Sequence, residues 1–552
     1  MGDLFRRYGV FWLILLTTAI ALTLSRDSEL WRAPLFVLIP LSLLGLWDFV
    51  QRRHTLMRNY PLVARFRWLF ESARPYLRQY IVEGDLSGRP FNREQRSLVY
   101  ARAKGTVDAS PLGTDLDVYD GQYELMTHSI RAVAVEDTDF RIRVGNAQCS
   151  QPYDASLLNI SAMSFGALSA AAIEALNRGA RAGGFYHDTG EGGISVYHRR
   201  YGGDLVWEIG TGYFGCRNEA GGFDVTAFAE AAQTDQVRMI EIKLSQGAKP
   251  GHGGVLPGPK VTPEIARARA VPPGMDCVSP PAHSTFSTPV ELLEFAAMLR
   301  ERAGGKPVGI KLCVGHPWEL FAICKAMLET GIRLDYIVID GAEGGTGAAP
   351  EELSDHVGMA LREGLVMARN ALVGSGLRDD VRLAASGKVY SAFSIASNLA
   401  LGADWCNAAR AFMFALGCVM SKNCHTDRCP TGVATQNRRR QRGLVVEEKY
   451  LRVASFHRST LQRLGDIIGA AGLSHPGDLL PHHLHHRVGP NQVATMDQIK
   501  DFLSHNQLLD DPRSTPYAEW WAAATADSFQ PRQKTGPQKS GRRSALTEQS
   551  GK

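Results

Sequence analysis

No cysteine follows Cys429, and the nine cysteines of this 552-residue chain are odd in number and scattered. No small-residue cleavage site follows the first apolar run either. Together these absences exclude a secreted disulfide scaffold and place the bulk of the chain in a reducing compartment. Net charge is also scarce. Lys and Arg number 61 against 56 Asp and Glu, and the resulting +5 gives no ground for a nucleic-acid partner. Two stretches lack charge altogether, residues 10–25 (VFWLILLTTAIALTLS) and 33–45 (APLFVLIPLSLLG). With their flanks they reach the length of membrane spans. Arg6 and Arg7 precede the first and Arg52 and Arg53 follow the second, so the positive-inside tendency keeps both ends in the cytoplasm. Residues 1–52 are therefore expected to form a transmembrane helical hairpin in the inner (cytoplasmic) membrane, with the catalytic domain facing the cytoplasm. A signal peptide and a soluble hairpin are the rivals. Apolar residues are sparse at the other end, and 526–552 reads as a disordered basic tail.

What is present is a large globular composition, 44% hydrophobic and 21% charged. Residues 53–155 read as a juxtamembrane helical and lead-in region. From 156, short apolar runs alternate with helical stretches such as SAAAIEALNRGARA. The runs are LLNISAMS, GFYHDTGEGG, LVWEIGTG, MIEIKLSQG, VGIKLCVG, YIVIDGAEGG, RLAASGK and DWCNAAR. Eight of them, each ending in unusual residues, predict an α/β fold, a (βα)8 TIM barrel over 156–440 with its site at the strands' C-terminal ends. An open doubly wound sheet is the alternative. A helical extension is expected over 441–525. Within it, His482, His483, His485 and His486 have no interleaved carboxylate or cysteine, which favours an exposed helix–loop edge over a metal site.

GTGYFG (210–215) matches a dinucleotide fingerprint, but CRNEAGGFDV after it does not open a helix, and we reject a nicotinamide site there. The glycine-rich turn after Asp340 can approach a phosphate or flat ring closely. Gly387, Lys388 and Arg410 end the next two strands, where barrels often hold phosphate. Lys243 and Lys311 sit in mid-strand, a costly position for an unpaired cation. Near a flavin's N1 and C2 oxygen such a cation would stabilise the reduced ring, and two lysines could clamp a dicarboxylate. Snorkelling to the barrel end is the other reading of Lys311. Cys418, Cys424 and Cys429 follow a C-x5-C-x4-C spacing.

ISAMSFGALS, TGEGG, EIKLSQGAKPGHGGVLPG, SPPAH, GGTGAAP and GCVMSKNCHTDRCPTGVATQ occur in the order found in the synthase domain of glutamate synthase. Over about 130–460 the chain resembles the FMN-binding glutamate synthase family, in particular its short membrane-tethered members. The resemblance implies FMN, a 3Fe–4S cluster and reduction of 2-iminoglutarate to L-glutamate. It implies Cys418, Cys424 and Cys429 as cluster ligands, one thiolate per iron. Zinc on these cysteines and His425 is the rival, although His425 directly follows Cys424. By motif match, Met163 and Ser164 lie near the flavin ring and Gln246 and Lys311 at its polar edge. Gly344, Gly345, Thr346, Gly387 and Lys388 hold its phosphate side. Lys243 and Lys249 are candidates for 2-oxoglutarate, and Glu191 for a proton donor or an orienting group, with a purely structural loop carboxylate the alternative.

The sequence also departs from the pattern. Ile194 stands where the family often has an acid, and Tyr213 where an arginine is expected. No glutaminase domain fits before residue 130, so the expected enzyme takes ammonia from a partner or from solution. Its electrons are expected from a reductase or ferredoxin. An N-methylglutamate synthase-like oxidoreductase and a non-catalytic electron-transfer scaffold are the competing functions.

Overall fold

A computed structural model describes residues 2–532. The expected tail from 533 onward lies outside the described residues. The chain divides into two units, 1–93 and 94–552.

In the first unit, helices Gly2–Leu24 and Arg32–Val50 pack as a hairpin. Thr18 and Ser42 join them by a 2.8 Å hydroxyl hydrogen bond. Gly45 permits the close approach, since a Cβ there would stand 2.6 Å from the Phe11 ring. Both helices are long and apolar enough to cross a membrane. The second ends on buried Asp48, which accepts from the Leu62 N–H at 3.1 Å and from both arms of Arg65 at 2.9 and 2.6 Å.

The second unit is built on eight parallel strands closed into a barrel. They are β1 Leu158–Ile160, β2 His187–Asp188, β3 Leu205–Ile209, β4 Val237–Lys243, β5 Val308–Leu312, β6 Tyr336–Asp340, β7 Arg382–Ser386 and β8 Trp405–Ala408. All eight coincide with the apolar runs of the sequence. Being covered on both faces, they are buried almost throughout rather than in alternation, and β3 to β6 are rich in Val, Ile and Leu. Several helices between them start on side-chain caps: Ser169 accepts from Ala172 N–H, and Thr288 with Glu291 forms a capping box. The helix Ala170–Gly183 stops at Gly184 in the left-handed region.

The barrel does not end at residue 440. Helix Val446–Ala470 packs between the first barrel helix, Ala170–Gly183, and the seventh, Ala392–Ala400, and completes the outer ring. Gly179 allows this crossing, because a Cβ there would meet Val453 Cγ1 at 2.4 Å. The cysteine loop is thus an insertion between β8 and its helix. Beyond 470 the chain is not helical throughout. Strands Leu484–Gly489 and Gln492–Thr495 form a hairpin that pairs with Glu124–Met126, placing His485 and His486 on a strand instead of a helix–loop edge. The turn GPN between period-two segments accounts for it. Residues 526–532 are not loose either: Ala526 is buried and its carbonyl accepts from Val290 N–H, while Phe529's accepts from the Trp318 indole. Small and aromatic residues there give the segment a surface to dock with.

Candidate active site at the barrel mouth

The loops after β1, β2 and β4 meet. Gly190 has a left-handed φ of +62°, and a Cβ there would stand 2.6 Å from Ser164 N. TGEGG can therefore lie directly on the Met163–Ser164 turn, with Met163 itself buried. Glu191, from that loop, accepts from Lys243 Nζ at 2.8 Å, and the same ammonium donates to Gln246 Oε1 at 2.7 Å. Burial opposes charge on Glu191, but Lys243, then Lys249 and Arg269, outweigh it and bring the carboxyl down to about 2. Glu191 is therefore an anion at neutral pH, which fits an orienting group and not a proton donor. Lys249 is buried, its pKa is lowered by that burial, and among the described residues its ammonium has no hydrogen-bond acceptor.

Lys311 is tied elsewhere. Its Nζ donates to Glu208 at 2.6 Å and lies 3.9 Å from Glu241, so its charge is engaged by carboxylates within the barrel. Burial works against this charge, yet Glu208, Asp340 and Glu241 hold the lysine well above its usual value. Carboxylate oxygens of Asp188, Glu208 and Glu241 all lie within 4.8 Å of one another. Burial, then Glu208, pushes Asp188 up to about 7, and burial and Asp188 push Glu241 well above the carboxylate range. Four ionisable groups with one cation cannot all be charged there; burial and mutual repulsion favour one proton retained on the Asp188–Glu241 pair.

The loops after β6, β7 and β8 form the other half of the mouth. Asp340 accepts from Gly247 N–H at 3.1 Å and from Ser386 Oγ at 3.1 Å, joining the two halves. Gly247 has no room for a side chain: its Cβ would stand 1.7 Å from the Gly341 carbonyl oxygen. Arg410 donates to the Glu343 carbonyl at 2.6 Å, and a Cβ on Gly345 would stand 2.9 Å from its Cδ. Burial brings Arg410 down to about 10 in spite of Asp340 and Glu343. Gly387 and Lys388 turn at φ +149° and +52°, while Gly344 is half-buried and Thr346 exposed at the rim.

The cysteine loop adjoins this half. A Cβ at Gly347 would stand 4.0 Å from Cys424 Cβ. Gln436 donates to the Gly166 and Leu168 carbonyls at 2.9 Å each, tying the loop to the turn after β1. Burial pushes the Cys418 thiol up to about 12 and raises Cys424. Cys429 is also opposed by burial, but Thr431 and backbone N–H groups lower it. Lys422, Arg428, Arg438, Arg439, Arg440 and Arg442 stand exposed on the loop and the short helix after it, with no ion pair among the described residues.

Sequence reasoning missed several groups. Glu208 and Glu241 carried the same mark as Lys311, a charge in mid-strand. Arg269, buried across Ser164 Oγ (3.3 Å) and the Phe165 carbonyl (3.1 Å), and Lys260 carried none. Tyr213, at φ +50°, is an anchor: its hydroxyl accepts from the Ser284 N–H and contacts His283 Nδ1 at 3.1 Å, fixing the SPPAH segment.

A model of the conserved region in glutamate synthase matches residues 123–474. The chain belongs to the glutamate synthase family. This makes it a glutamate synthase-like oxidoreductase. It is 35% identical over 514 residues to the glutamate synthase large subunit-like protein YerD of Bacillus subtilis, covering 85% of this chain and 97% of that one. It is 33% identical over 315 residues to the archaeal-type glutamate synthase [NADPH] of Thermotoga neapolitana, 57% of this chain and 59% of that enzyme's length. Among solved structures, a variant mandelate oxidase with 2-hydroxy-phenylacetamide matches at 13% identity and a TM-score of 0.38, over 73% of this chain and 89% of that one.

Two prosthetic groups implied by the family can be tested against these side chains. The glycine turns at adjacent strand ends and the buried Arg410 guanidinium suit a phosphorylated ring. One zinc with sulfurs at about 2.3 Å would hold them about 3.8 Å apart. The sulfurs of Cys418, Cys424 and Cys429 are not all within 4.8 Å of one another. That spread suits a cluster with one thiolate per iron better than a single zinc.

Proposed function

We propose that the mouth binds FMN, that Cys418, Cys424 and Cys429 hold a 3Fe–4S cluster, and that the protein reduces 2-iminoglutarate to L-glutamate. The imine would form from 2-oxoglutarate and ammonia, and its reduction takes two electrons and two protons. The observation that carries this reading is Lys249, a buried lysine whose ammonium has no hydrogen-bond acceptor among the described residues, beside the engaged Lys243–Glu191–Gln246 group.

Bound FMN would supply hydride to the imine carbon, and the cluster would supply electrons singly. Lys249 would bind a substrate carboxylate, and Lys243, held by Glu191 and Gln246, would orient the second. Gly344, Gly345, Thr346, Gly387, Lys388 and Arg410 would take the phosphate, and Met163 and Ser164 would face the ring. Lys311, already paired with Glu208, would act on the ring through its field rather than by a hydrogen bond. The proton shared by Asp188 and Glu241 would be a reserve within the barrel. The exposed cations around Cys424 would receive an acidic reductase or ferredoxin. An ammonia-supplying protein is the further partner. The hairpin would anchor the chain in the inner membrane with the barrel in the cytoplasm.

The test is anaerobic turnover of the full chain with a chemical reductant, 2-oxoglutarate and ammonium, with methylamine in a parallel arm. Glutamate in the first arm supports the proposal; product with methylamine only would assign the site to N-methylglutamate chemistry. Protein lacking a flavin spectrum would sink both. Retention in the membrane after a carbonate wash tests the anchor.

A further inference from the structure

Lys260 lies on the crossover between β4 and β5, at the end of the turn Gly258–Lys260. It is 2% exposed. Its Nζ donates to three carbonyls, Ala167 at 2.7 Å, Cys424 at 3.2 Å and Ala434 at 3.4 Å. The first belongs to the turn that carries Met163 and Ser164; the other two belong to the cysteine loop. The turn that presents Lys260 is itself fixed. Gly258 N–H donates to Asp276 Oδ1 at 2.6 Å, and a Cβ on Gly258 would stand 2.6 Å from the Gly274 carbonyl oxygen. Thr262 caps the next helix through Ile265 N–H. One buried cation, with all three protons engaged, thus pins the ring-side loop to the metal-side loop.

We infer that Lys260 is a positioning residue for electron transfer, fixing the spacing of the two loops and favouring the cluster's reduced state by its charge. This rests on the cluster reading above. Three thiolates and four sulfides leave such a cluster anionic in both redox states, and reduction adds one further electron while no bond forms or breaks. A fixed positive charge beside a ligand backbone in a low-dielectric site therefore stabilises the reduced form more than the oxidised one. Loss of this charge therefore has a defined direction.

The experiment uses the full chain purified anaerobically in detergent, wild type and Lys260→Gln, whose neutral amide can still donate to two carbonyls. Iron content and an EPR-monitored titration with dithionite are the readouts. Lys260→Gln should keep its iron and FMN, while the reduced-to-oxidised ratio at the wild-type midpoint falls about tenfold, equivalent to about 59 mV for one electron. An iron-loaded variant that titrates with the wild type overturns the inference. If Lys260→Gln loses its iron, Lys260→Arg decides: recovered iron supports the role of the charge, and equal loss overturns it. If the wild type itself holds no iron, the cluster reading fails and alkylation of Cys424 judges the positioning half. Several-fold faster labelling in Lys260→Gln supports it, and an unchanged rate overturns it.

Discussion

Lys243 Nζ bridges Glu191 Oε2 and Gln246 Oε1 at 2.8 and 2.7 Å, whereas Lys249 beside it has no such acceptor among the described residues. The two lysines should therefore respond differently. Lys249→Met removes a charge-assisted contact to substrate, and KM for 2-oxoglutarate should rise by about 10- to 100-fold with flavin content unchanged. Lys243→Met strips the partly buried Glu191 carboxylate of its partner as well, and should lower folding stability by about 1–3 kcal/mol in denaturant titration.

Asp188→Asn tests the shared proton. Asp188 is raised to about 7 by burial and by Glu208, so the folded state binds a proton that the unfolded chain releases at about pH 4. The native state then loses stability as pH rises from about 4 through 7. Asparagine keeps the acceptor for Gly190 N–H and can donate to Glu241. The variant should unfold with a flatter pH dependence and be more stable by about 1–3 kcal/mol at pH 8. A variant less stable at pH 8 would remove the shared proton from the account.

Serine at Cys418, Cys424 or Cys429 should each abolish the iron signal while leaving flavin bound, because the loop is an insertion outside the strand core. Iron analysis and the visible spectrum of the same sample separate the two groups. Equal loss of zinc instead of iron would identify the rival metal.

Arg438→Glu with Arg440→Glu should slow reduction by an acidic carrier protein at least tenfold at low salt, and flatten the dependence of that rate on ionic strength. Reduction by dithionite serves as the control for an intact cluster loop. Rates unchanged with the carrier would place its docking face elsewhere.

The eight strands were legible because each ends in residues that no buried strand would otherwise carry, such as Gly190–Glu191 after His187–Asp188 and the glycines after Asp340. The helix 446–470 was not assigned to the barrel because the cysteine loop separates it from its strand, and periodicity along a chain does not reveal which neighbours a helix finds. The hairpin at 484–495 was hidden by its histidines, which suggest metal more readily than strand. Lys311 was legible as unusual, but its partner was not: Glu208 is far off in sequence, and only closure of the barrel brings the two together. Lys260 sits in a proline-containing turn and Arg269 ends the short helix after it, on a crossover where a cation reads as solvent-exposed until the segment folds over it.

Completing the helical ring with residues 446–470 sets an order of events in the cell. Helix Ala170–Gly183 lays an apolar stripe, with Gly179 against Val453, along that late segment. A ribosome adding about 5–20 residues per second leaves this apolar stripe uncovered for roughly 10–50 s. During that interval the nascent chain is a chaperone client, and a chain stopped between β8 and residue 446 carries every barrel strand yet remains an aggregation hazard.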